Sequence, residues 1–301
     1  MAALRLEADI QLLSVKRSTG DLKATLDAWR TLVRNSYWFC NETLDVEEKL
    51  GLTPQGTFKS AYTTWLPLLL LLALTLVTQL ASVAYTATQS FSAVFLPSAV
   101  ALVVVTTPLA TLGLWLGAKI GLGMPLLAAL LSHRPGAGRQ LMQAAMPAIG
   151  MGLVVGMFLW FLRIASAQFL PPELAELGHR GAIGGLLVSA SAAVGEEVWL
   201  RLGVMTILAW LIMRALGQSE LGPKVAWAAI VMSALAFGAI HLPQLAAAGA
   251  ATPIGIAATL LGNTLVGIVC GWLYWHRGLI AAIVAHFSVD VVLHVLPALL
   301  R

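Results

Sequence analysis

The chain has 301 residues, 59% of them hydrophobic and only 11% charged, with a mean hydropathy of +0.86. This composition excludes a soluble globular domain and describes a polytopic membrane protein. The net charge of +4 and pI near 9.3 do not indicate nucleic acid, because the lysines and arginines are scattered over connections instead of forming one stripe.

Residues 1–60 hold eight of the fourteen acidic and eight of the eighteen basic residues. They read as an N-terminal cytoplasmic polar segment ahead of a transmembrane domain at 61–301. Leu22, Leu26, Trp29, Val33 and Tyr37 recur at helical spacing after a capping stretch at Ser18 to Gly20, which predicts a short amphipathic helix. Packing against the membrane domain is its favoured role over docking to a lipid surface or partner. The first thirty residues show no basic stretch leading into an apolar run, so no cleavable signal peptide is expected. Asn41-Glu42-Thr43 fits the glycosylation acceptor pattern but falls on the side read as cytoplasmic. Cys40 and Cys270 lie far apart in unlike surroundings, so neither a disulfide nor a cysteine metal site follows.

From Tyr62 onward, the criterion of roughly twenty apolar residues gives seven spans, at about 62–84, 93–117, 141–164, 182–213, 225–241, 253–275 and 278–300. The expected fold class is therefore all-α, a membrane helical bundle. The fourth span is overlong and is expected to break near Gly203 or to run on toward Gln218. The fifth is short, and the uncharged linker Leu242 to Thr252 is a candidate for dipping back along a cavity. Basic residues concentrate in the N-terminal segment and in alternate connections (Lys119, Arg134 and Arg139; Arg214 and Lys224; Arg277). That pattern predicts a cytoplasmic N-terminus and an outside C-terminus. Trp65, Trp115, Trp160, Trp272 and Trp275 fall near span ends, where interfacial tryptophans gather.

The ionisable residues inside these spans carry the functional signal. Glu196, Glu197 and Arg201 share the fourth span, His241 ends the apolar run Val231 to Ile240, and His286 and Asp290 sit in the seventh. Each charged group at a helix centre costs roughly 2.5 to 3.5 kcal/mol on insertion scales, so each requires a partner or a function. Neighbours on an α-helix point about 100° apart, so Glu196 and Glu197 cannot serve the same direction. Glu197 and Arg201, spaced i, i+4 with the acid first, have the better orientation for an ion pair. This leaves Glu196 to face a cavity as a general base or acid. Phe237 and His241 share a helix face, where the ring can shield the site. His286 and Asp290 are again i, i+4, so the carboxylate can orient the imidazole or both can face one ligand. His133, His179, His276 and His294 have no comparable setting and are left outside the site.

Three motifs, Glu196-Glu197-Val-Trp-Leu-Arg201, Phe237-Gly-Ala-Ile-His241 and His286-Phe-Ser-Val-Asp290, resemble in content and order the CPBP superfamily. This group, also called the Abi family, comprises intramembrane endopeptidases and includes the type II CAAX prenyl endopeptidase. The segment from Gly271 to Leu279 adds to the likeness, which covers about residues 140–300. The resemblance implies a conical catalytic cavity between the motif-bearing helices and peptide-bond hydrolysis near a membrane surface. Carried over, Glu196 and His241 would activate the attacking water, and His286 with Asp290 would bind the oxyanion. Prenyl endopeptidases have Asn at the position of Asp290. An ionised Asp cannot donate to an oxyanion, so Asp290 is expected either to be protonated or to orient His286.

Glu196, His241 and His286 also form a two-histidine, one-carboxylate set sufficient for zinc with an open water position. No His-Glu-x-x-His helix is present, and hydrolysis without a metal or other cofactor is the favoured expectation. The expected partners are the lipid bilayer and membrane-associated peptide or protein substrates, prenylated ones being suggested by the resemblance. The plasma membrane is the expected location. Competing readings are a noncatalytic scaffold or bacteriocin self-immunity factor of the same superfamily, and a proton-coupled transporter, since buried Glu, His and Asp also build proton relays.

Overall fold

The computed structural model describes residues 65–87, 90–176 and 181–300. The chain divides into two units, Met1–Thr57 and Phe58–Arg301, and every described residue belongs to the second. The amphipathic helix expected after Ser18, together with Cys40 and Asn41, lies outside the described residues.

The elements are α1 (Trp65–Thr86), α2 (Phe91–Ile120), α3 (Pro125–Leu131), α4 (Ala137–Ala165), α5 (Pro172–Glu176), α6 (Gly181–Glu196), α7 (Thr206–Ala215), α8 (Pro223–Ile240), α9 (Leu242–Ala247), α10 (Pro253–Arg277), α11 (Leu279–Asp290) and α12 (Leu296–Leu299). Two π-helical stretches, Glu197–Met205 and Val291–Val295, join α6 to α7 and α11 to α12. Seven of the resulting helices are long and apolar enough to cross a membrane, and no strand occurs among the described residues.

All seven expected spans are present, with ends shifted by a few residues. The fourth, Gly181–Ala215, does not break at Gly203. It widens there instead, and a Cβ at Gly203 would stand 3.0 Å from the Leu109 side chain of α2. The fifth continues past His241 into α9, giving Pro223–Ala247, so most of the linker thought to dip back is helical.

Local chemistry fixes the helix ends. Pro223 and Pro253 open α8 and α10, where a missing N–H costs nothing. Before α10, the Thr252 hydroxyl accepts from the Gly255 N–H at 3.1 Å. Between α10 and α11 lies one residue, Gly278, at φ +82°. A side chain there would be strained and would meet Pro125 Cδ at 2.6 Å. This tight reversal packs α11 back on α10.

Lipid supplies no hydrophobic drive between helices, so close approach through small residues does the packing. On α4, Gly152 lies against the Ala285 carbonyl and the Ser288 side chain, and Gly156 lies against Val289 and Val292. On α10, Gly267 faces Ala234 of α8 and Gly271 faces Ile230. These contacts set the positions of His286 and Phe237. Leucine at Gly152 would drive α11 off α4, and Gly152→Leu is expected to cost about 3 kcal/mol, the upper end of overpacking. Thermal unfolding of the purified protein in detergent checks this.

The motif-bearing spans are the inner ones. Half of the best apolar window of Gly181–Ala215 and of Leu279–Leu299 is buried, against 11% for Ala93–Ile120. Leu, Val and Phe side chains such as Val77, Val104, Val154 and Phe161 cover the outer surface, as a bilayer requires.

Candidate active site

The polar faces of the fourth, fifth and seventh spans meet at one cavity of about 1180 Å³. Its wall takes residues from α1 (Gln79), α4 (Leu159), α6 (Glu196), α8 (Phe237), α10 (Asn263) and α11 (His286). Glu196 is the last residue of α6 and Glu197 the first of the π-helical stretch. The backbone therefore widens between the two carboxylates, a feature π-bulges often bring to functional sites. Glu196 keeps 19% of its side chain exposed and lines the cavity. Glu197 is fully buried behind it.

His241 stands between α8 and α9. Its Nδ1 lies 2.8 Å from the Phe237 carbonyl. A carbonyl only accepts, so Nδ1 donates and a neutral ring presents its lone pair at Nε2. That atom is 3.9 Å from Glu196 Oε1. Likewise His286 Nδ1 donates to Glu197 Oε1 at 2.8 Å. Its Nε2 lies 3.7 Å from Glu196 Oε2 and 3.7 Å from Asp290 Oδ2. Glu196 therefore has a histidine facing each of its two oxygens.

Behind this row sits a fully buried ion pair. Arg201 Nε is 3.2 Å from Glu197 Oε2, and both side chains are 0% exposed. Phe237 is packed among the charged groups, with the Arg201 guanidinium 5.2 Å from its ring centre. Edge contacts reach from the same ring to His241 at 5.0 Å and His286 at 5.6 Å. Trp199, also on the cavity wall, donates from Nε1 to Thr106 Oγ1 at 2.9 Å.

The structure brings Glu196, Glu197, Arg201, Phe237, His241, His286 and Asp290 together, and it adds links that spacing along one helix could not reveal. Glu197, on a different span, holds His286 Nδ1, whereas i, i+4 spacing suggested Asp290 as the orienting group. Cys270 interacts with both Glu197 and Arg201. His294, left aside from sequence, lines the cavity, as do Gln79 and Asn263. The two amides are isolated polar groups in apolar spans, the same signal that singled out Glu196. His133 and His276 are not in the cavity wall, and His179 lies outside the described residues.

Among the described residues, the trio whose ligand atoms all lie within 4.8 Å of one another, and which could hold a metal, is Glu197, Cys270 and His286. These donor types suit zinc, but their surroundings do not favour it. An ion there would displace the 2.8 Å His286–Glu197 bond and stand beside the Arg201 cation, 3.2 Å from Glu197. In the set read from sequence for zinc, His241 and His286 address different oxygens of Glu196 at 3.9 and 3.7 Å. They bracket the carboxylate instead of converging with it on one point.

Residues 178–292 match the family model described as type II CAAX prenyl endopeptidase Rce1-like. The chain carries an Rce1-like domain. This domain spans α6 through α11 and contains all seven site residues. The similarity is that of residues 178–292, and the seven apolar helices make the protein a multi-pass membrane protein. No curated protein and no solved structure gave a significant match.

Proposed function

We propose that the protein is an intramembrane endopeptidase that hydrolyses peptide bonds of membrane-associated substrates, CAAX-type prenylated peptides among them. The observation that carries this reading is the bracketing of Glu196 by His241 Nε2 at 3.9 Å and His286 Nε2 at 3.7 Å on the cavity wall. Both gaps exceed hydrogen-bond length, so Glu196 is not locked into a direct bond with either histidine and can take a water.

In the proposed mechanism Glu196 accepts a proton from that water as it attacks the scissile carbonyl, and His241 Nε2 orients the water or relays its proton. His286 is fixed by Glu197 at Nδ1, which turns Nε2 toward the cavity. When Nε2 carries a proton it is the donor for the oxyanion, a preorganised role that involves no side-chain search at the moment of reaction. Asp290 Oδ2 lies 3.7 Å from Nε2 and need not donate a hydrogen bond itself. Glu196 then returns its proton to the leaving amine. The N-terminus is cytoplasmic in this reading, since basic residues favour the side bearing the connections at Lys119 to Arg139, Arg214 to Lys224, and Arg277.

Replacing His241 with alanine is expected to lower kcat by about 10²–10⁴-fold, the range for loss of a general acid or base, while the protein still folds in the membrane. Cleavage of a membrane-anchored peptide by the purified variant is the test, and normal turnover would refute the assignment. A noncatalytic scaffold would show unchanged biological activity in Glu196→Gln. A transporter would instead show Glu196-dependent, proton-coupled uptake in proteoliposomes.

A further inference from the structure

We infer that Gln79 and Asn263 bind the main chain of the substrate, each accepting a peptide N–H close to the bond that is cut; this rests on the endopeptidase reading and adds how the peptide is held. Both carboxamides line the cavity, and each has its NH2 group committed to a helix carbonyl. Gln79 Nε2 donates to the Ser191 carbonyl at 2.9 Å, and Asn263 Nδ2 donates to the Thr259 carbonyl at 2.8 Å. A carbonyl only accepts, so these bonds fix which end of each amide is which. Each is left with an oxygen that accepts no hydrogen bond among the described residues. Neither oxygen is shut off, whereas the hydroxyl of Thr264, next to Asn263, is fully enclosed.

An unpaired peptide unit is costly in a cavity walled by membrane spans, since neither lipid nor an apolar wall satisfies its N–H. A bound peptide therefore needs acceptors from the protein, and an oxygen already oriented through its own NH2 group loses little freedom on binding. The carboxylates of the wall, Glu196 and Asp290, face histidines. The two amides add neutral acceptors that suit almost any sequence, because every residue except proline carries the N–H they take. Both stand near the proposed chemistry. A Cβ on Gly195, the residue before Glu196, would collide with Gln79 Nε2. On α10, Leu260 and Thr264 approach Gly238 of α8, three residues before His241, so Asn263 lies within about one turn of the level of that histidine. An extended peptide offers successive N–H groups to opposite sides, so acceptors on two spans can hold neighbouring units at once. Gln79 belongs to α1, outside the matched residues 178–292, so one half of this grip comes from beyond the Rce1-like domain.

The test uses the full-length protein in nanodiscs and a fluorescent, prenylated CAAX-type peptide, together with analogues in which one amide near the cut is replaced by an ester, so that a single N–H is lost. In wild type, an ester at either of two positions should lower kcat/KM by roughly tenfold, as for a buried acceptor left without its donor. Gln79→Met keeps the length of the side chain and removes its oxygen. It should handle the parent peptide roughly tenfold less well and show no further loss with the ester at one position, while the loss at the other persists. Asn263→Leu should show the reverse pattern, and its lost bond lies within α10, so the packing between spans is spared. A merely structural role would lower turnover of all peptides alike and leave both ester penalties in place, which overturns the inference. So does equal handling of every ester by wild type. Binding of the same peptides to the Glu196→Gln protein gives a readout independent of turnover, and there the ester penalties should remain and vanish one by one on adding Gln79→Met or Asn263→Leu. Absence of cleavage by wild type with these binding differences intact would refute the peptidase reading while supporting the two acceptors.

Discussion

Glu196→Gln is expected to reduce kcat/KM for peptide cleavage by about 10²–10⁴-fold, or about 3 to 5 kcal/mol of transition-state stabilisation at 1.36 kcal/mol per tenfold. Glutamine keeps the size and polarity of the side chain but cannot accept the proton of the attacking water. The fold should tolerate it, because the ion-pair partners of Glu196 are no closer than 3.7 Å and the side chain borders a cavity. Thermal unfolding close to wild type, with cleavage lost, is the expected combination. Retained cleavage would remove Glu196 from the role of base and leave the Rce1-like domain as a packing or binding module.

Glu197→Ala is expected to act in the opposite way, through stability. Arg201 is wholly buried, and Glu197 Oε2 is the carboxylate in contact with it at 3.2 Å. Removing one partner of a buried pair leaves an uncompensated charge at a cost of about 3–5 kcal/mol. The same change strips His286 Nδ1 of its acceptor, adding the penalty of a buried donor left unpaired. The melting temperature in detergent should fall sharply and expression should drop with it. Substituting both partners, as Glu197→Gln with Arg201→Met, should recover much of the stability, because no uncompensated charge is then left buried and the amide oxygen can still accept from His286 Nδ1. Activity should remain below wild type in that double variant, since an amide holds His286 less firmly than a carboxylate does. An unchanged melting temperature in Glu197→Ala would contradict the account of this pair.

Apolar length alone defined the helical class and the seven spans, since the bilayer requires every backbone group to be paired within a segment. The expense of charge in lipid singled out Glu196, Glu197, Arg201, His241, His286 and Asp290. Residues on separate spans could not be linked that way. The His286–Glu197 bond joins positions 89 residues apart, and nothing in local spacing encodes it. The Cys270 environment and the inclusion of His294 in the cavity wall depend on how α10 and α11 turn about Gly278, which packing decides. The widening at Glu197–Met205 is not legible in the sequence for a related reason. A π-helix differs from an α-helix by backbone register, and the apolar residues around Gly203 fit both.

The most direct measurement of the central claim is cleavage of a membrane-peptide library by purified wild-type protein and by Glu196→Gln, each with and without a strong chelator. Glu196-activated water acting without a metal predicts discrete cleavage products from wild type, unchanged by the chelator, and their loss in Glu196→Gln. Products that persist in Glu196→Gln, or activity abolished by the chelator and restored by added zinc, would contradict it.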